Sequence, residues 1–144
     1  MNATRLCFSK RYSYPGNIDP EVFDLCNAIN ALPGLQTLES CCGHGERPLA
    51  VYFKASKSFD GLFFLTRCVD HRYFEYGNLW KIELSVGDVM RESVLPTIFC
   101  LNSGIEMGEV AYYQAKVLVD NMNDHLNIPK FLEIFNLDLN RFDI

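Results

Sequence analysis

The residues Glu39-Ser40-Cys41-Cys42-Gly43-His44-Gly45-Glu46-Arg47 bring two thiols, an imidazole, two carboxylates, a hydroxyl and a guanidinium into one short stretch. Gly43 and Gly45 allow the backbone there to turn sharply and to approach a ligand closely. Four chemistries suit this set. In the first, the loop cradles an anion: backbone N–H groups converge at the glycines, His44 and Ser40 donate hydrogen bonds, and Arg47 supplies a two-pronged charge matched to phosphate or carboxylate. The glycine spacing is neither that of a P-loop nor that of the dinucleotide fingerprint, so the expected ligand is a small anion such as a nucleotide or nucleotide-derived signal. Ser40, Cys41, Cys42, Gly43, His44, Gly45 and Arg47 are its candidate binding residues.

In the second chemistry, Cys41, Cys42 and His44 hold zinc, for which thiolate and imidazole are suitable ligands. Adjacent residues of a strand point to opposite faces and no Cys-x-x-Cys pair is present, so such a site needs further ligands. Cys68 and His71, three residues apart on one helix, are the candidates. The third makes a thiolate of Cys41 or Cys42 a nucleophile activated by His44 or Arg47, and predicts loss of activity in Cys42→Ser. In the fourth the loop only reverses the chain, with Cys41 packed inward and His44, Glu46 and Arg47 solvated. The anion cradle is the favoured expectation; the alternatives are a cysteine- or zinc-dependent enzyme using the same loop, and a protein-interaction module acting through the C-terminal tail.

Around this loop the sequence lays out helices and strands. Asp19-Pro20-Glu21 starts a helix, with Asp19 expected to accept from free backbone N–H groups and Pro20 in the first helical position. Val22, Leu25, Cys26, Ile29 and Leu32 form its apolar stripe, and Pro33-Gly34 ends it. Leu35 to Ser40 and Leu49 to Phe53 read as strands paired in a hairpin with the loop at its tip. Phe59, Leu62, Phe63, Thr66, Val69 and Tyr73 follow helical spacing behind a Ser56 or Ser58 cap, and Gly77-Asn78 closes that helix. Trp80, Ile82, Leu84 and Val86 alternate with polar residues as in a strand with one packed face. Thr97 to Leu101 reads as a fourth strand buried on both faces and ended by Asn102-Ser103-Gly104. Val110 to Met122 makes a third helix, with His125 a surface residue at its end. The order α-β-β-α-β-β-α predicts an α+β domain over 18–126, an antiparallel or mixed four-stranded sheet with helices on one face. Residues 1–17 are expected to be an N-terminal arm, and the apolar segment 127–144 is expected to dock on the body or on a second subunit of a homo-oligomer.

The 144-residue composition bounds what such a domain does. Thirteen Lys and Arg against eighteen Asp and Glu give a net charge of −5, which disfavours non-specific nucleic-acid binding. No apolar run approaches the roughly 20 residues of a membrane span, so a cytoplasmic protein without a membrane partner is expected. The six cysteines, two of them adjacent, are expected to be free thiols, with Cys26, Cys68 and Cys100 in the core.

The stretch from Ile18-Asp19-Pro20-Glu21 through Leu32-Pro33-Gly34 to Thr37-Leu38-Glu39-Ser40-Cys41-Cys42-Gly43-His44-Gly45 resembles a group of short bacterial and phage proteins that carry the same central E-S-C-C-G-H-G string. That resemblance extends to about Met122, and it suggests sequestration of a host signal as a role for the phage members. More distantly, Ser40-Cys41-Cys42-Gly43 after a helix, a Leu-Pro turn and a strand is similar to the start of the wybutosine-synthesizing tRNA methyltransferase family, which uses S-adenosylmethionine. In that family's pattern a serine stands where this chain has Cys42, and a basic residue where it has His44. The likeness implies an α/β fold with a ligand site at this loop.

Overall fold

The computed structural model describes residues 18–56, 59–70, 79–84 and 97–127. Within them the chain runs α1 (Pro20–Ala31), β1 (Leu35–Cys41), a 3₁₀ turn (Gly43–Gly45), β2 (Pro48–Ala55), α2 (Asp60–Cys68), β3 (Lys81–Leu84), β4 (Thr97–Met107) and α3 (Gly108–Leu126). This is the expected α+β order. Neighbouring strands are all antiparallel, in the order β1-β2-β4-β3.

Helix α1 starts at Pro20 because proline loses no helical hydrogen bond in the first turn. Asp19 occupies the cap position, yet its carboxylate accepts no capping bond from the helix. It reaches instead to the N–H of Cys42, which corrects the expectation of a local cap. Past Leu32, the Pro33 carbonyl accepts from Gly61 and so receives the first turn of α2. Helix α2 is shorter than its apolar spacing suggests. It is capped by Phe59 rather than a serine, and its last turn closes on Val69, whose N–H bonds back to the Leu65 carbonyl. Tyr73 and Gly77-Asn78 lie outside the described residues, as do residues 1–17 and the tail beyond Asn127.

The β1–β2 hairpin is present, but its register shifts between Thr37 and Glu39, where Leu38 is an extra residue. A bulge reverses the in-and-out alternation beyond it. Thr37 pairs with the fully buried Phe53, and Ser40 with the fully buried Val51. Cys41, at the end of β1, is only half-buried, while Cys42 beyond it packs into the core, only 4% exposed. The structural expectation that Cys41 packs inward is thus reversed.

Strand β4 does not end at Asn102-Ser103-Gly104 but continues to Met107. The turn residues make a detour within the strand: Ala50 pairs with Asn102, and Pro48 next pairs with Met107. The buried Ser103 hydroxyl holds the detour, accepting from the Leu49 N–H at 2.9 Å and donating to the Glu106 carbonyl at 2.7 Å. Gly104 adopts φ +65°, and a Cβ there would meet the Leu79 carbonyl oxygen at 2.8 Å. The Pro48–Met107 pairing sets the start of α3 beside the hairpin tip.

Helices α1 and α3 pack on each other and on the same side of the sheet, enclosing Val22, Leu25, Ile29, Phe53, Leu118 and Met122. Cys26, Cys68 and Trp80 belong to this core as expected, whereas Cys100 is half-buried. On β3, Ile82 is half-buried but Leu84 is 53% exposed, so the packed face expected of that strand is incomplete. His125 is buried rather than on the surface, with Nδ1 2.8 Å from the Asn121 carbonyl oxygen. No helix among the described residues is long and apolar enough to cross a membrane.

Candidate functional site

The hairpin tip turns through three successive residues with positive φ: Gly43 (+82°), His44 (+53°) and Gly45 (+77°). For histidine this conformation costs about 1 kcal/mol, because its Cβ crowds the following carbonyl. The bend is fixed from both sides. The Gly43 carbonyl accepts from the N–H groups of Glu46 and Arg47, at 3.0 and 3.1 Å. The His44 N–H donates to Cys42 Sγ at 3.4 Å, and the His44 ring places Nδ1 3.5 Å from the same sulfur. With Nδ1 held at Cys42, Nε2 faces Asp19 at 3.9 Å from Oδ2.

Asp19 arrives from the start of α1. Its Oδ2 accepts from the Cys42 N–H at 2.9 Å, and that bond, chiefly, holds its carboxyl below the ordinary carboxylate pKa, with the nearby His44 adding to the effect. The carboxylate is therefore ionised and oriented, and its position at the positive end of α1 favours the same state. The two thiols differ. Cys42 is buried, and desolvation pushes its thiol pKa up, so it remains protonated. Cys41 is half-buried; its sulfur accepts from the Gly43 N–H at 3.3 Å and from Arg47 Nη2 at 3.9 Å.

Asp19, Cys41 and His44 each present one donor atom, and a carboxylate oxygen, Sγ and ring nitrogen lie within 4.8 Å of one another. Cys42 stands behind them as a support. It orients Asp19 through its N–H and His44 through its sulfur, and its side chain is the main cause that pushes the nearby Tyr112 hydroxyl up to about 12.

Of the residues singled out from sequence, Cys41, Cys42, His44 and Arg47 converge around the bend, with Gly43 and Gly45 forming it. Ser40 lies in β1 on the side of Val51, where the alternation separates it from Cys41. Cys68 is sealed in the core, where burial pushes its thiol well above the ordinary value, and His71 lies outside the described residues. Asp19 and Tyr112 are the members not found from sequence. An Asp before Pro at a helix start has a complete local explanation as a cap, and nothing near Tyr112 in the chain marks its approach to Cys42. Comparison with protein-family models, curated proteins and solved structures finds no match for this chain.

Proposed function

We propose that this site binds a zinc ion through Asp19, Cys41 and His44, leaving a fourth position open, and that the protein is a zinc-dependent enzyme acting on a small molecule. The observation that carries this reading is the mutual approach of the three donor atoms to within 4.8 Å. Around tetrahedral zinc, oxygen, nitrogen and sulfur ligands stand about 3.3–3.6 Å apart, so small side-chain rotations close the set. Three protein ligands with one vacant position is the arrangement of catalytic zinc, which activates a water molecule or polarises a carbonyl.

The supporting groups fit the same reading. A zinc-bound histidine nitrogen is normally steered by a hydrogen bond at the other ring nitrogen, and Nδ1 lies at Cys42 Sγ. A ligand sulfur is likewise oriented by an outer hydrogen bond, and the Gly43 N–H supplies one to Cys41.

The charges near the loop weigh against the anion cradle. His44 faces the Asp19 carboxylate, and Arg47 is directed at the Cys41 sulfur. Glu21 and Glu109 add negative charge around Tyr112, next to Cys42. A phosphate at the bend meets these carboxylates; a divalent cation is attracted by them.

The test is metal analysis of the purified chain after equilibration with zinc and removal of excess. One tightly held zinc per chain, with a rise in melting temperature on zinc addition, is the expected result. Zinc that washes off to substoichiometric levels without shifting the melting temperature overturns the proposal, and a shift on adding nucleotide instead returns the loop to the anion cradle.

A further inference from the structure

A cleft of about 340 Å³ opens between α1 and α3 beside the proposed zinc site. Two features link it to that site. Pro20, on its wall, directly follows Asp19 in the chain, and Tyr112, also on its wall, lies close enough to the Cys42 side chain for the two groups to shift each other's titration. The volume is at the lower end of the range for small-molecule sites, enough for a ligand of amino-acid size.

The lining has a marked polarity. Leu25, almost completely buried, contributes apolar surface, while Glu21, Asp24 and Glu109 place three carboxylates around it, against the one ammonium of Lys116. Among the described residues, none of these three carboxylates forms an ion pair. Like charges gathered around a concave, partly apolar surface create a field that concentrates ligands of the opposite sign. The aromatic side chain of Tyr112 adds a surface that attracts organic cations.

From this we infer that the α1–α3 cleft is the specificity pocket of the site and takes a small organic cation, an ammonium or guanidinium group on an apolar body. Its role as a substrate pocket rests on the zinc reading above; its preference for cations does not, and the two are measured separately. Carboxylates at Glu21, Asp24 and Glu109 hold the charged end of the ligand, and Leu25 meets the apolar part. The reacting group then extends past Tyr112 toward Asp19 and His44.

The test uses benzylammonium, with benzyl alcohol as its neutral counterpart and benzoate as its anionic one, titrated into ¹⁵N-labelled protein with and without zinc. Benzylammonium is expected to bind with a dissociation constant on the order of 1 mM and to shift the amides of Leu25, Tyr112 and Lys116. Benzyl alcohol and benzoate are expected to bind at least about tenfold more weakly. The Glu21→Gln/Glu109→Gln double variant, altered only at exposed positions, is expected to weaken benzylammonium about tenfold while keeping its zinc. Equal or tighter binding of benzoate or benzyl alcohol, shifts confined to other surfaces, or an unchanged double variant overturns the cleft assignment. Cation binding by a chain that retains no zinc overturns the pocket's catalytic role alone, and a zinc-loaded chain indifferent to charge overturns the cleft while leaving the metal site standing.

Discussion

Helix α1 is tied to the β1 hairpin arm at both of its ends, and the two ties are built differently. At the C-terminal end, Asn30 Nδ2 donates to Thr37 Oγ1 at 2.7 Å and the Thr37 N–H donates to Asn30 Oδ1 at 2.8 Å. Both residues are buried, 1% and 4% exposed, and their polar groups satisfy each other. At the N-terminal end, Asp19 accepts one hydrogen bond from Cys42 and keeps the rest of its acceptor capacity, with its side chain 31% exposed and facing His44. The first pair is a closed account of hydrogen bonds and the second is an open one. Buried polar groups that each find their partner in the other specify the fold. Polar groups that are oriented by the fold, and still hold unspent lone pairs beside other donors, are available to a ligand.

That contrast predicts a double dissociation. Cys41→Ser, which replaces a soft ligand with a weak one, is expected to reduce zinc affinity by about a thousandfold, or about 4 kcal/mol, while the metal-free protein melts nearly as before. Asn30→Ala leaves the Thr37 N–H buried without its acceptor and is expected to destabilise the fold by about 3 kcal/mol in denaturant titration, with zinc stoichiometry intact. If Asn30→Ala loses zinc as completely as Cys41→Ser does, the two ties are not independent and the distinction drawn between them fails.

The scaffold around the closed tie is the more legible in sequence, although the Asn30–Thr37 pair itself leaves no mark there. The stripe of Val22, Leu25, Cys26 and Ile29 and the density of apolar residues in β2 report burial directly, because both follow the repeat of a single element. The loop's reactive residues were legible as types but not as an arrangement. Which cysteine is buried depends on the extra residue at Leu38, and a bulge leaves no compositional mark in Thr37-Leu38-Glu39. The turn signature at Asn102-Ser103-Gly104 predicts the end of a strand. Its residues do turn, but the Ser103 hydroxyl returns the chain to the ladder, a long-range effect that involves Leu49. Asp19 was hidden for the same reason: its partner lies 23 residues away, and local spacing gives a capping aspartate and a metal-binding aspartate the same appearance.

Within the open end itself, the two glycines should differ. Gly43→Ala combines an unfavourable positive φ with a Cβ 3.0 Å from the Pro48 carbonyl oxygen, so backbone has to move; a loss of about 2 kcal/mol is expected, with weakened zinc binding as the bend shifts. Gly45→Ala carries the same penalty for φ but meets nothing within 4 Å, and should cost about 1 kcal/mol with little effect on zinc. Equal losses for the two variants would mean that the bend is not held against β2.

The smallest expected effect is also the sharpest, because its sign differs. His44 holds a left-handed conformation at 61% side-chain exposure, so the fold gains little from its burial and bears the strain of its Cβ. His44→Gly removes that strain, at the cost of the ring's contact with Cys42 and of added freedom in the unfolded chain. The net expectation is a metal-free protein more stable by about 0.5 kcal/mol that no longer retains zinc. A histidine kept for structure gives the opposite result, a less stable variant in the absence of metal. Paired thermal melts with and without zinc separate the cases: wild type should gain stability from the ion, and His44→Gly should begin slightly higher and gain nothing. Strain of this kind persists where the surrounding structure enforces it, and here the enforcing bonds, from Glu46 and Arg47 to the Gly43 carbonyl, belong to the same bend that carries the ligands.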